Sequence, residues 1–351
     1  MAVVRAYRNI TSDELRWHDK NDLPTVQDWL FWEGSFDEIP YVGMTICGTK
    51  TEMSKEGLAI DFDIRQKDGK HYHSLITIPE EMFTPAPFGG TWGDKGIMAG
   101  RLGPDGLPTG YDLKFTVGNI SIDLTSRALV GGMKFSDARP GYSSHHPDKG
   151  IAAGWWPLVA RSECEGTITI DGKGVKVKGW SYLERQCIAT GTNKPNWGDT
   201  DAPSTQSVWS WGHFVAGEYT AAWTDSAASR HLGYQHYGPL VLWRGNKPLL
   251  CTLNCSVSVE QYVINADDGC PQNYISTLRA ADDHTELFVV LNNGLLVHRS
   301  TRNVYYTRQL SSINVRVKDV RLNETEKVTG SAIHEWGMNK GYIPPWSAKN
   351  K

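Results

Sequence analysis

Residues 176–186 read "KVKGWSYLERQ" and crowd Trp180, Tyr182, Glu184, Arg185 and Gln186 into seven positions. A phenol, a carboxyl, a guanidinium and an amide placed side by side can polarise a bound carbonyl or move a proton. Residues two apart on a strand share a face, so Trp180, Tyr182 and Glu184 are expected on one side of it. A carboxyl among aromatic rings loses hydration, which favours its neutral form unless a cation compensates. Glu184 therefore reads either as a site carboxyl or as half of a structural ion pair with a neighbouring cation. For Glu184 and Arg185 together, the bland reading is a pair of solvated loop charges.

Other chemistry-bearing groups are sparser. There is no G-x-S-x-G elbow, no G-x-x-x-x-G-K-[ST] phosphate loop and no dinucleotide fingerprint joining a strand to a helix. "HYH" places His71 and His73 on one face of a strand, and "HH" adds His145 and His146, but adjacent strand residues point to opposite faces and no cysteine or carboxylate cluster completes a ligand set. No metal site and no cofactor are expected. In "GWWPLVARSECEG", Trp155 and Trp156 alternate on a strand: one ring belongs to the interior and the other faces out or toward a neighbouring domain.

The elements that must hold these groups are strands. "GTITIDGKGVKVKG" alternates Ile168 and Ile170 with Val175 and Val177 around an Asp-Gly turn, a β-hairpin pattern. "YDLKFTVGNISIDLTSR" repeats it around Gly118-Asn119, and "LVLWRGNKPLLCTL" turns near Gly245-Asn246. "LFVVLNNGLLVHRS" is expected to turn at Asn293-Gly294, and "INVRVKDVRL" alternates again. The best stretch at helical spacing, "TSDELRWHDKNDL" near the start, is mostly polar, so the chain reads as all-β. So many strands need closed or packed sheets, which barrels supply. The Gly-, Pro-, Asn- and Ser-rich segment "GTNKPNWGDTDAPSTQ" at 191–206 marks a boundary between domains at 1–190 and 205–351.

Bulk properties exclude several classes. A net charge of -3 without any Lys/Arg-rich run gives no surface for nucleic acid. The apolar runs are short and interrupted, well under the roughly 20 residues of a membrane-spanning helix. The chain is expected to be soluble, either cytoplasmic or on a secretory route with a signal peptide outside this sequence. Sequons at Asn9, Asn119, Asn254 and Asn323 leave that route open, and six cysteines are too few for a disulfide scaffold. The 14 Trp and 14 Tyr can fill β-core layers or line a cavity for a flat apolar ligand.

The order "GTITIDGKGVKVKGWSYLERQC" resembles the signature of the carotenoid 1,2-hydratase and AttH-like superfamily of two-domain, lipocalin-like proteins. That signature is a "GTLTVDG…V.G" hairpin followed by an aromatic, a spacer and an Asp-His-x-Trp cluster. Tyr182 falls on its aromatic, Glu184 on its Asp and Arg185 on its His, with Cys187 where an aromatic is usual. A Trp-x-Trp after a short linker is matched by Trp209 and Trp211, a Gly-x-Tyr-Thr strand by "GEYTAAW", and a late glycine-bounded strand with a Glu by "VTGSAIHEWG". The likeness runs from about residue 150 to 245 plus the C-terminal strand.

The resemblance implies two lipocalin-like antiparallel β-barrel or sandwich domains with a pocket at their interface. It also implies chemistry: members include hydratases of isoprenoid double bonds and fungal pericyclases, among them Diels-Alderases and hetero-Diels-Alderases. The abundant aromatics and absent cofactor motifs suit the pericyclases best. Tyr182, Glu184, Arg185 and Gln186 are then expected at the reacting centre. An apolar polyketide or terpenoid substrate would lie against Trp155, Trp156, Trp180, Trp209, Trp211, His213, Trp223, His236 and Trp336. The alternatives are a hydratase, isomerase or cyclase using Glu184 as general acid, or a carrier that binds an apolar ligand without turnover.

Overall fold

A computed structural model of the chain describes residues 8–10, 15, 26–47, 58–134, 144–146, 151–190, 208–228, 234, 236–267, 269, 271–300 and 304–339. Among them there is no α-helix; the 3-10 turn Glu80–Met82 interrupts a fold made chiefly of strands. The strands pair antiparallel in two large sheets, an all-β, lipocalin-like architecture. The described residues separate into two compact units, one up to Asn193 and one from Lys194. The polar stretch at 11–23, apart from Leu15, and the linker-like segment at 191–206 lie outside the described residues.

The main sheet of the first unit has twelve strands. Its path runs His71–Ile78, Leu58–Arg65, Tyr41–Cys47, Val26–Phe36, Lys173–Thr190, Ile151–Ile170, Ile120–Gly131, Pro108–Val117, Gly96–Leu102, Gly89–Trp92 and Phe83–Ala86. The end strand His71–Ile78 also touches Pro108–Val117, so the sheet curls back on itself. Alternation decides what goes inside: Leu113, Phe115 and Val117 join Ile120, Ile122 and Leu124 in one core cluster with Ile168, Ile170 and Val177. The hairpin at 170–173 closes through Asp171 (φ 51°) and Gly172 (φ 76°). Positive φ at both central residues is the two-residue turn whose twist matches the flanking strands, and Asp-Gly is among the pairs that adopt it.

The second unit's eleven-stranded sheet follows the path Lys247–Thr252, Leu240–Arg244, Tyr219–Ala227, Val208–Ala216, Glu324–Asn339, Val304–Asp319, Thr285–Leu291, Pro271–Ala281 and Ser256–Ile264. Lys247–Thr252 touches Pro271–Ala281 from the other end of that order, so this sheet curls as well. The expected turns at 118–119 and 245–246 are present as hairpins. The one expected at Asn293-Gly294 is not. Thr285–Leu291 and Leu295–Ser300 do not pair with each other; both lie along Val304–Asp319, with Leu291 opposite Ile313 and Leu295 opposite Leu310. The three residues between them are a break in one line of pairing, held by Asn292 Nδ2 donating to the Ser312 carbonyl at 3.1 Å and by Gly294 N donating to Gln309 Oε1 at 3.2 Å. Asn-Gly favours a turn locally, but a long partner strand offers both segments more hydrogen bonds than they could make to each other.

Candidate active site

Strand Lys173–Thr190 lies between Val26–Phe36 and Ile151–Ile170. Leu183 belongs to the core cluster, so Tyr182, Glu184 and Gln186 stand on the opposite face of the strand. That face is nonetheless covered: Tyr182 and Glu184 have 0% exposure and Trp155 has 4%. Register brings Trp155 opposite Gln186 and Pro157 opposite Glu184.

These side chains converge on one carboxylate. Glu184 Oε2 accepts hydrogen bonds from the Trp155 indole and from the Tyr182 hydroxyl at 2.7 Å, and Oε1 accepts from Gln186 Nε2 at 2.6 Å. Hydrogen bonds to a charged acceptor are each worth roughly 1.5–3 kcal/mol, so the three donors and the carboxylate hold one another in place. Burial, then the Glu184 charge and hydrogen bond, then the Glu33 charge, raise the Tyr182 pKa well above its usual value. Tyr182 therefore remains a phenol that donates to Glu184.

Glu33 is the member that sequence reasoning missed. It lies opposite Tyr182 on Val26–Phe36 with 0% exposure. One more strand across, Gly43 stands opposite both Glu33 and Asp63. A Cβ at Gly43 would fall 2.3 Å from the Tyr41 hydroxyl, so the phenol of Tyr41 occupies the space that a side chain there would fill. The signal for Glu33 was alternation: in "VQDWLFWEGSF" Leu30 and Trp32 enter the core, which puts Glu33 on the face of Phe31. An acid flanked by large apolar residues has to be sheltered with partners.

The second unit carries a related cluster on the face away from its own core. Glu335 Oε1 accepts from Trp209 Nε1 at 3.0 Å, and Oε2 accepts from the Tyr306 hydroxyl and from Arg308 Nη2 at 2.8 Å and Nε at 3.2 Å. The Arg308 guanidinium also lies 5.5 Å from the Trp211 ring centre and 5.7 Å from that of Tyr306. A tryptophan and a tyrosine thus donate to a glutamate in each unit, and Glu335 is paired with the Arg308 guanidinium as well. Arg308 and Tyr306 were not singled out in the sequence because neither sits in a distinctive motif.

The remaining expected residues are dispersed. Arg185 faces away from Glu184, into the first unit's core side, with its guanidinium 5.7 Å from the Trp156 ring centre and 1% exposure. Adjacent strand residues cannot share a face, so Arg185 does not join the Glu184 set. Trp155 and Trp156 are both buried, and Trp180 is half-buried opposite Ser35 and Glu163. His213 stands beside Trp211, with ring centres 5.6 Å apart. Trp223 packs in the second unit's core, and Trp336 lies on the same face of that sheet, half-buried opposite Ser210 and Thr307. His236 lies on a two-residue edge strand with Nε2 2.7 Å from Asp225 Oδ1.

His71 and His73 do share a face, and each meets a carboxylate: His71 pairs with Asp63, and His73 Nε2 is 2.7 Å from Asp61. The side chains of His145 and His146 lie outside the described residues. Among the described residues no group of three or more His, Cys, Asp or Glu could hold a metal ion, and no helix is long and apolar enough to cross a membrane.

No protein-family model and no curated protein sequence matches the chain. Solved structures do match in fold. CghA, solved with Sch210972, is 14% identical with a TM-score of 0.63 over 90% of this chain and 89% of that one. A putative AttH protein from Nitrosomonas europaea is 11% identical with a TM-score of 0.61 over 98% and 99%. Kievitone hydratase from Nectria haematococca is 11% identical with a TM-score of 0.56 over 90% and 89%. At such identities the likeness is one of fold, and it extends over nearly the whole length of each chain.

Proposed function

We propose that this chain, built on the fold of CghA and kievitone hydratase, is a cofactor-independent enzyme that positions an apolar polyketide, terpenoid or mixed substrate for a Diels–Alder or hetero-Diels–Alder cycloaddition. The observation that carries this reading is the three-donor carboxylate of Glu184. A general acid must be able to turn its proton toward a substrate, and both oxygens of Glu184 are already engaged by protein donors. Glu184 acts instead as an anchor that fixes Trp155, Tyr182 and Gln186.

A cycloaddition suits an anchored site. Two σ bonds form as three π bonds become one, and no proton changes place. The protein's task is to hold the two π systems in a reactive pose, which can lower the barrier by several kcal/mol, up to about 7–11 in the best oriented cases. Gln186 is the half-buried member of the set. Its amide, oriented by Glu184, is the group we assign to hydrogen-bond a carbonyl of the electron-poor partner. That the fold is shared with CghA, solved with Sch210972, supports an organic ligand of this kind.

A second reading, a hydratase or proton-moving isomerase, is favoured by Glu33, a second fully buried carboxylate opposite Tyr182. One experiment separates the two. The purified protein is incubated in D2O with the uncyclised precursors that accumulate when its gene is deleted, and the product is weighed by mass spectrometry. Cycloaddition gives a product isomeric with its precursor when both π systems belong to one molecule, or with the summed mass of two partners, and in either case no deuterium on carbon. A product heavier by one water, or carrying deuterium on carbon, would replace the cycloaddition reading with proton chemistry.

A further inference from the structure

The face of the second sheet that carries Glu335 is buried along one part and open along another. His213, Thr220, Trp243 and Ile333, which share that face, have at most 2% exposure. Arg316 lies eight residues beyond Arg308 on Val304–Asp319, roughly 27 Å at the rise of a strand. There Asn314, Arg316, Lys327 and Thr329 are all exposed.

One cross-strand row at this open end collects positive charge. Arg279, Phe288, Arg316 and Lys327 stand opposite one another on four neighbouring strands. Leu278, Leu287, Val289, Val315 and Val317 alternate with them into the core, which sets the row on the outer face. Both guanidiniums lie against the half-buried Phe288 ring, Arg279 at 4.7 Å from its centre and Arg316 at 5.1 Å. Other exposed cations have an acid beside them: Lys70 has Asp68, Lys114 has Asp123, Arg127 has Glu163 and Arg244 has Glu218. Among the described residues no carboxylate lies within ion-pair distance of Arg279, Arg316 or Lys327. Like charges placed along one row work against the fold unless acids are supplied from elsewhere.

We propose that this row is a docking surface for an acidic, extended segment of a partner protein, whose carboxylates pair with Arg279, Arg316 and Lys327 while an apolar side chain rests on Phe288. The charge pattern favours a narrow segment over a broad anionic surface. On one side of the row, toward the end of the hairpin, Glu286, Asp319 and Glu324 outnumber Lys318 and Arg321. On the other side the next row is neutral: Thr277, Val290, Asn314 and Thr329. The positive strip is thus one row wide and crosses four strands, about 14 Å from Arg279 to Lys327, the length of about four extended residues. A membrane or a nucleic-acid duplex would bring its phosphates against the flanking acids as well, and like charges repel. Arginine and aromatic side chains at the centre of a patch are also the groups that dominate protein interfaces. This surface belongs to the second unit alone and stands independently of the Glu184 reading.

The test uses the full chain and a fluorescein-labelled peptide, Gly-Glu-Gly-Glu-Leu-Glu-Gly-Glu-Gly, beside its counterpart with glutamine for glutamate, read by fluorescence anisotropy. Wild-type protein is expected to bind the acidic peptide and not its amide counterpart, and raising the salt from about 50 to about 150 mM should weaken that binding several-fold. Arg279→Gln combined with Arg316→Gln should weaken it about tenfold, as expected for losing two exposed charge contacts. Lys173→Gln combined with Lys176→Gln, an equal loss of charge from exposed positions of the first unit, should leave it unchanged. The proposal is overturned if the acidic peptide does not bind wild-type protein or if both double variants weaken it equally. It is also overturned if the arginine variant melts lower than wild type with binding intact, since the two arginines would then serve only to pack Phe288. Vesicles of phosphatidylserine that sediment with wild-type protein and not with the arginine variant would overturn it in favour of a lipid contact.

Discussion

The Tyr182 hydroxyl donates to Glu184 Oε2 at 2.7 Å from two positions away on one strand, so a single backbone segment holds phenol and carboxylate in register. The contact consumes the only proton Tyr182 has to give. In the cycloaddition reading Tyr182 would act on a substrate through Glu184 and the groups that Glu184 fixes, with Gln186 the member assigned to meet it.

Glu184→Gln keeps an acceptor for Trp155 and Tyr182 but removes the charge. In the cycloaddition reading kcat should fall less than about tenfold, whereas loss of a general acid or base would cost on the order of 10² to 10⁴. Gln186→Ala should cost about a hundredfold, as expected for removing one preorganised donor. Steady-state kinetics on the two variants, with melting temperatures measured in parallel, check this. The reverse order of effects would transfer the chemistry to Glu184.

Glu335→Gln should be mainly a stability variant. Arg308 and Glu335 have side-chain exposures of 14% and 11%, so neutralising the acid takes its carboxylate away from a nearly buried guanidinium. The cost should be about 3–5 kcal/mol, read as a lowered denaturant midpoint, and larger than that of Glu184→Gln. Equal losses for the two variants would mean that the clusters play the same structural part.

His334 gives the fold an acid sensitivity. Burial lowers its pKa from 6.5 to about 3, so between those values the unfolded chain takes up a proton that the folded chain refuses. Stability supplied by the neutral imidazole is complete above pH 6.5 and is lost as pH falls toward 3. His334→Gln should flatten the fall in melting temperature across that window by an amount worth on the order of a few kcal/mol. Parallel curves for wild type and variant would contradict the assignment.

Gly43→Ala should destabilise the first unit by about 1–3 kcal/mol, the usual cost of overpacking. The new methyl group would meet the Tyr41 hydroxyl at 2.3 Å and its ring carbon at 2.9 Å. Tyr41→Phe should recover part of the loss, because it removes the closer atom. A double-mutant cycle measures the coupling, and strictly additive effects would show that Tyr41 is not the obstacle.

By itself the sequence determined the strands, most of the turns and the faces of the side chains. Period-2 alternation and turn chemistry act over a few residues, so the hairpins around 118–119, 171–172 and 245–246 and the common face of Tyr182 and Glu184 were legible locally. Even the separation of Arg185 from Glu184 was implicit in the pleat. Tertiary structure alone decided which distant strands became neighbours. Nothing local to "VQDWLFWEGSF" says that it will lie against Lys173–Thr190 and set Glu33 opposite Tyr182, because that pairing is chosen by burial of both core faces at once. The same competition overrode Asn293-Gly294, where a long shared partner strand outweighed a good turn sequence. It also assigned Arg308 to Glu335 and left Trp223 and Thr307 without protein partners, since hydrogen-bond satisfaction is settled only when side chains from separate strands meet.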